Sequence, residues 1–369
     1  MMKKIMTAGF WALLLLPNLL FPLIKNSGEQ STGENRKLAE FPVFSTETYA
    51  EFPAAVNSYI NDHAAFRNLF LSINSVVNRK VFGYADSQDV IVGKDGWYFF
   101  AGGRNLHDAL GVDPLTEEDT AWIGDKLIQA AEYYESQGID FVAMIAPNKE
   151  GIYPEYMPEA YGRVGGETRP DQVEAYVREH SGIEILDPRA YFNANRDYLW
   201  YYKTDTHWNH AGAYAASQML IEALGGEPCP IEEVEVDYVN GEPGDLVNLF
   251  HLPESYCDEY SAQINGYYPE LDTVMEDVNG DKNIVHTSTP DAPDQRRVAV
   301  IRDSFGGALM GYLPKYFANV DFYHWQVFDR SLLEENPPDA VIYLIVEREL
   351  TRIPEDVDKM LPEQGKERE

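Results

Sequence analysis

The chain has 369 residues, of which 44% are hydrophobic and 13% aromatic, and its 29 basic residues face 61 acidic ones for a net charge of −32. A chain this apolar builds a packed core, so the charge sits on a folded surface and does not signal disorder. Such a surface repels phosphate backbones and anionic headgroups, which argues against nucleic acid as a partner.

Lys3 and Lys4 precede an uncharged apolar run from Ile5 to Ile24 that contains only two prolines, Pro17 and Pro22. Its length suits the hydrocarbon core of a bilayer. No small-x-small cleavage site stands before Lys25, so residues 1–24 read as an uncleaved anchor with a cytoplasmic N-terminus in preference to a removed signal peptide. In both cases the rest of the chain is expected outside a bacterial membrane, in the cell envelope or secreted. Two cysteines occur there, Cys229 and Cys257; one disulfide and two free thiols both remain open.

Residues 25–47 read as a tether, polar and rich in Gly, Ser and Glu from Asn26 to Arg36. Across 48–85 the apolar residues Phe52, Val56, Tyr59, Ile60, Phe66, Phe70, Ile73 and Val77 recur at helical spacing, which predicts one or two amphipathic helices packing on the main domain.

The main domain is expected over 86–361, with a polar tail at 362–369. Val90 to Phe100 has the pattern of a hairpin around Lys94, Asp95 and Gly96. Thr116 caps a predicted helix that Gly138 stops, and Phe141 to Ala146 follows as a buried strand ending at Pro147, Asn148 and Lys149. Asp171 to His180 reads as helix, Ile183 to Leu186 as strand, and Ala211 to Leu224 as helix. From 227 to 297 the composition turns acidic and rich in Gly, Pro, Asn and Tyr, which predicts a long excursion without regular order. Strands are then expected at Val298 to Ile301, Val320 to Tyr323 and Ala340 to Val346, with a helix opening at Ser304. This alternation predicts a three-layer α/β/α sandwich around a mostly parallel sheet.

Ligands collect beyond the carboxyl ends of the strands in such sheets, and three places there carry chemistry. Ser304, after the strand Val298 to Ile301 and Arg302-Asp303, puts a hydroxyl at a helix N-terminus, where backbone N–H groups stabilise an oxyanion; read alone, it is equally a helix cap. In the segment Asp205-Thr206-His207 the acid and the imidazole project to one side, as a base and its orienting carboxylate do; read alone, it is equally a turn. A serine hydroxyl needs such a base, so the two segments make more sense together. A metal held by Asp205, His207 and His210 is the weaker reading, because no further pair at ligand spacing supports it, and no cofactor is called for. The third place comprises Glu347 and Arg348 after the last strand, with Asn148 and Lys149 after the earlier one; pocket lining and surface ion pairing both fit.

Taken as a set, the segments Glu34-Asn35-Arg36, Gly93 to Trp97, Pro147-Asn148-Lys149, Asp205 to Asn209, Arg302-Asp303-Ser304-Phe305 and Glu347-Arg348 resemble the alginate O-acetyltransferase SGNH hydrolase-like and DHHW families. The order is that of the circularly permuted members of the SGNH-hydrolase superfamily, with the Asp-x-His segment ahead of the Asp-Ser segment. The resemblance implies Ser304 as nucleophile, His207 as general base and Asp205 as orienting acid. It departs from the pattern at Arg302, where the superfamily has glycine, at Thr206, where the DHHW relatives have histidine, and at Glu347-Arg348, where an oxyanion asparagine is usual. The oxyanion hole is therefore expected from the Ser304 N–H with Gly306 or Gly307, and Asn148, Arg348, Trp208 and Tyr202 are further oxyanion or substrate candidates; the last two, with Trp97 and Tyr201, suit stacking on sugar rings, although packing in the core is the commoner use of such aromatics.

The activity this implies is serine-dependent O-acetyl transfer onto a cell-envelope or exported polysaccharide through an acetyl-serine. Such relatives commonly receive acetyl groups from a membrane-bound O-acyltransferase partner. A carbohydrate O-acetylesterase of the same mechanism and a catalytically silent glycan-binding scaffold are the alternatives.

Overall fold

The computed structural model describes residues 2–20, 38–46, 48–82, 89–249, 251–253, 257–267, 271–278 and 281–362. The predicted tether at 26–36 and the tail beyond 362 lie outside the described residues.

In chain order the strands are β1 (Val90–Val92), β2 (Tyr98–Phe100), β3 (Asp140–Ala146), β4 (Ile185–Leu186), β5 (Glu235–Asn240), β6 (Tyr260–Asn265), β7 (Val274–Val278), β8 (Asp281–Ser288), β9 (Asp294–Arg302), β10 (Phe317–His324) and β11 (Ala340–Val346). Seven of them form one sheet in the order β4-β3-β11-β9-β10-β8-β7. Pairing is parallel from β4 through β10 and antiparallel from β10 to β8 and from β8 to β7, so the sheet is mixed.

Side chains alternate across this sheet with period two, and both faces are covered. Val142, Met144, Val298, Val300, Ile342 and Leu344 point to one layer, which the helix His210–Ala223 fills with Ala213, Tyr214, Ala216 and Leu220. Ala143, Ile145, Ala299, Ile301, Val341 and Tyr343 point to the other, packed by the helices Glu117–Ser136, Arg169–His180 and Ile353–Met360. All seven β11 residues are buried, as expected of a central strand that reads as an unbroken apolar run. Thr116 accepts a hydrogen bond from the Asp119 N–H to start the helix 117–136, and Gly138, at φ +73°, turns the chain out of it into β3. Lys94, Asp95 and Gly96 lie between β1 and β2, with Asp95 and Gly96 at positive φ, as a tight hairpin demands.

The region 227–297 is more ordered than its composition suggests. It forms the β5–β6 hairpin, a short helix Asp245–Leu249, and the strands β7 and β8, and it holds the start of β9. Most of β5 and β7 is exposed, so edge position removes the need for the apolar run that betrays a buried strand.

Two helices, Phe52–His63 and Arg67–Val77, precede β1. Val76 packs against Val90, Tyr98 and Leu246, whereas Ile60, Leu69, Phe70, Ile73 and Val81 face outward. The helix Met2–Leu20 leaves Ile5, Phe10, Trp11 and Leu19 exposed, and among the described residues no helix is long and apolar enough to cross a membrane.

Candidate active site

The register of the sheet brings three strand ends side by side: Leu344 pairs with Arg302 and Val346 with Ala146. The residues following β3, β9 and β11 therefore share one edge, which is where the parallel strands terminate.

Asp303 stitches this edge together. Its buried carboxylate accepts the Phe305 N–H at 2.9 Å and the Val346 N–H at 2.6 Å, tying the end of β9 to the end of β11. Asp303, not Ser304, is thus the cap, and the Ser304 hydroxyl is left exposed for other work. The segment Ser304–Gly311 is a 3₁₀ turn and not the α-helix expected. Glycine is a poor helix former, and three of these eight residues are glycine. At Gly306 a Cβ would lie 2.6 Å from the Arg302 Cβ, so only glycine lets the turn fold back on β9.

His207 Nε2 lies 2.8 Å from the Ser304 Oγ, across 97 residues of sequence. Its Nδ1 lies 2.6 Å from Asp205 Oδ1, which also accepts the His207 backbone N–H at 2.9 Å. A carboxylate on Nδ1 keeps the proton there and leaves the Nε2 lone pair for the hydroxyl. Tyr201 and Trp208 form an antiparallel bridge, so the chain between them doubles back and presents both side chains from one turn. Phe305 supports the imidazole from below, ring centres 4.9 Å apart.

Burial raises the pKa of Asp205, but the hydrogen bond and charge of His207 outweigh it and bring the carboxyl down to about 2. Burial lowers that of His207, but its hydrogen bond to Asp205 and the charges of Asp205 and Asp245 prevail, so the imidazole titrates above its ordinary range. The net effect is an ion-pair-ready imidazole over an always-charged carboxylate.

Asp245 was not legible in the sequence, where it is one acid among many in the excursion. Its N–H donates to Asp205 Oδ2 at 3.1 Å, and its carboxylate accepts from the Thr206 N–H at 2.8 Å and the Thr206 hydroxyl at 2.6 Å. Thr206 Oγ1 itself lies 3.2 Å from His207 Nδ1, so the residue in the place of the family histidine links Asp245 to the imidazole. Ligand atoms of Asp205, His207 and Asp245 lie within 4.8 Å of one another, a spacing a metal ion could use. These atoms are already hydrogen-bonded to the loop and to Ser304. His210 stands apart from them, its Nδ1 3.1 Å from the Tyr312 hydroxyl, so the metal reading through His210 does not match the structure.

The remaining candidates divide by burial. Trp208 is 1% exposed and donates its indole N–H to the Phe305 carbonyl, and Trp97 and Tyr201 are buried as well; these rings pack the core and offer no face to a sugar. Tyr202 is half-buried and Gly307 lies beside open space. The Arg348 guanidinium sits 5.4 Å from the Phe305 ring centre and 5.5 Å from that of Phe100. Glu347 does ion-pair, but below the surface: it is buried, lies 3.5 Å from the Arg189 guanidinium and accepts the Asn148 N–H at 2.9 Å. The Asn148 side chain is 2% exposed, with neither of its polar atoms hydrogen-bonded. Lys149 is likewise buried. No disulfide joins Cys229 to Cys257.

The doubly covered α/β sheet is SGNH-like in fold, and at its carboxyl edge a serine, a histidine and an aspartate are hydrogen-bonded in series. The family model described as an SGNH hydrolase-like domain of acetyltransferase AlgX matches residues 90–287, and the chain belongs to this family. It is 23% identical over 345 residues, 85% of this chain and 83% of the relative, to a protein of Pseudomonas syringae pv. tomato named probable alginate O-acetylase AlgJ. A DHHW family protein of Eubacterium siraeum superposes with a TM-score of 0.55 at 16% identity, covering 76% of this chain and 98% of that one. Bacillus cereus PatB1 superposes with a TM-score of 0.53 at 14% identity, covering 71% and 96%. Likeness at these identities speaks to the fold.

Proposed function

We propose that the protein is a serine-dependent O-acetyltransferase acting on a cell-envelope or exported polysaccharide. The single observation that carries this reading is the 2.8 Å approach of Ser304 Oγ to His207 Nε2, with Asp205 at 2.6 Å on the far nitrogen. In the first half-reaction Ser304 Oγ attacks the acetyl carbonyl as its proton passes to His207 Nε2. The bond from the acetyl carbon to the donor's leaving oxygen breaks, and that oxygen takes the proton back from the imidazolium. In the second, a sugar hydroxyl loses its proton to His207, attacks the acetyl carbon, and Ser304 departs reprotonated. The negative oxygen that forms in each step is assigned to the Ser304 N–H together with Gly306 or Gly307.

The names of relatives as probable alginate O-acetylases support a polysaccharide acceptor over a small alcohol. The basic pair Lys3 and Lys4 ahead of the uncharged run to Ile24 supports an N-terminal membrane anchor with the catalytic domain outside, next to a membrane-bound O-acyltransferase that would supply acetyl groups. Exposure of Ser304 keeps the esterase reading alive, because water reaches the same atom.

The test is incubation of the protein with a chromogenic acetyl ester, with and without an oligosaccharide acceptor, against Ser304→Ala. Loss of turnover in the variant and acetylated sugar as product are expected. Turnover unchanged by Ser304→Ala overturns the serine mechanism; ester cleavage without acetylated sugar selects the esterase, and glycan binding without any cleavage selects the scaffold.

A further inference from the structure

Lys149 is 2% exposed, and among the described residues no carboxylate hydrogen-bonds its ammonium. Its Nζ donates instead to three backbone carbonyls, those of Tyr202 at 3.2 Å, Lys203 at 3.1 Å and Asp205 at 2.7 Å. An ammonium has three N–H donors, so all are used on one stretch of four residues that ends at Asp205. The rings of Trp97 and Phe99 flank it, 5.7 and 5.3 Å from Nζ to their centres.

The amide side of the same stretch is held by the opposite charge. Glu259, at the start of the β6 arm of the hairpin, is 6% exposed, and its carboxylate accepts from the Lys203 N–H at 3.0 Å, the Thr204 N–H at 2.6 Å and the Thr204 hydroxyl at 2.5 Å. Thr204 Oγ1 in turn accepts the Gly244 N–H at 2.8 Å, one residue before Asp245. A buried charge of either sign is costly unless fully hydrogen-bonded; Lys149 spends its bonds on the backbone that carries Asp205, and Glu259 does so with two of its bonds, the others going to the Thr204 hydroxyl and the Tyr260 N–H.

We propose that Lys149 is a positioning residue: gripping the carbonyls of Tyr202, Lys203 and Asp205, with Glu259 opposite, it sets the place of the Asp205 carboxylate under His207. The inference rests on the Ser304, His207 and Asp205 reading. A displacement of the order of 1 Å in such a constellation costs about a hundredfold in rate. Neither residue reaches Ser304, so the effect falls on turnover and not on substrate binding. Burial also brings Lys149 down to about 8, against the pull of Glu150, Asp205, Asp245 and Glu259, the acidic groups around it. The neutral amine has two N–H donors for three carbonyls, so the grip loosens as pH rises through that value.

The full chain is assayed with the chromogenic acetyl ester as wild type, Ser304→Ala, Lys149→Met and Glu259→Gln, with thermal melts alongside. Lys149→Met is expected to lose roughly a hundredfold in kcat with KM within about twofold, and Glu259→Gln to lose less in the same direction. A folded Lys149→Met with wild-type kcat overturns the proposal. Should Lys149→Met fail to fold, Glu259→Gln decides, since its carboxylate holds the amide side of the same stretch: it must lose kcat with KM unchanged, and a folded Glu259→Gln with wild-type kcat overturns the grip. Turnover unchanged in Ser304→Ala overturns the active-site reading and the proposal with it; a loss there with no effect of Lys149→Met overturns the proposal alone.

Discussion

Gly244 lies against Asp205 with no room for a side chain, since a Cβ at Gly244 would stand 2.6 Å from the Asp205 Cα and N. The 227–297 excursion is thereby pressed onto the loop that carries Asp205 and His207, and its next residue, Asp245, is brought into hydrogen bonding with Asp205 and Thr206. Gly244→Ala forces that backbone apart. It is expected to cost about 1–3 kcal/mol, as overpacking does, and to lower turnover by more than the lost stability explains. Melting temperature and kcat measured on the same sample check this.

The pH dependence of turnover follows from the neighbours of His207. The imidazole must be neutral to accept the Ser304 proton, and its pKa is raised, so activity appears as pH climbs through a value above the ordinary 6.5. Asp205→Asn removes the largest raising influence and moves that acid limb down, while costing roughly 10⁴ in kcat because the tautomer is no longer fixed. Asp245→Asn moves the limb down by less and spares most of kcat, because Asp205 still holds Nδ1. Arg348→Met moves it up, since the Arg348 charge lowers the His207 pKa. A limb unmoved in all three variants would mean that another group controls it.

Chelation gives a separate check. The Asp205, His207 and Asp245 ligand atoms are within 4.8 Å of one another but already hydrogen-bonded. Turnover after prolonged EDTA treatment is expected to equal that before it, and added Zn²⁺ to inhibit by competing for His207. Restoration of a chelated, inactive enzyme by metal would contradict the serine mechanism.

Stability against pH should carry the mark of Glu174. Burial, with the Asp187 charge second, raises its carboxyl from 4.5 to about 8. A raised carboxyl favours the folded state in its protonated form, so its contribution is present below the unfolded value and lost as pH rises from there through about 8. Glu174→Gln keeps the neutral shape and is expected to raise the melting temperature at pH 8 while changing it little at pH 5. Equal shifts at both would sink the assignment.

Local pattern was sufficient wherever a residue's environment is set by its near neighbours. The apolar runs at β3, β9 and β11, the Thr116 cap, the Gly138 stop and the Lys94 to Gly96 turn are all written in stretches of a few residues. So were the chemical types of Ser304, His207 and Asp205. What the chain alone could not decide depends on contacts across long separations. The 97-residue separation of His207 and Ser304 closes because β9 pairs between β11 and β10. Asp245 and Glu259 came from a stretch whose polar composition reads as loop, because edge strands exposed to water need no apolar signature. For Trp208 the choice between a sugar-facing ring and core packing, and for Lys149 that between pocket lining and surface ion pairing, stayed open, and the fold buries both. Burial is a property of what packs on a residue from elsewhere in the chain, and a single sequence does not carry it.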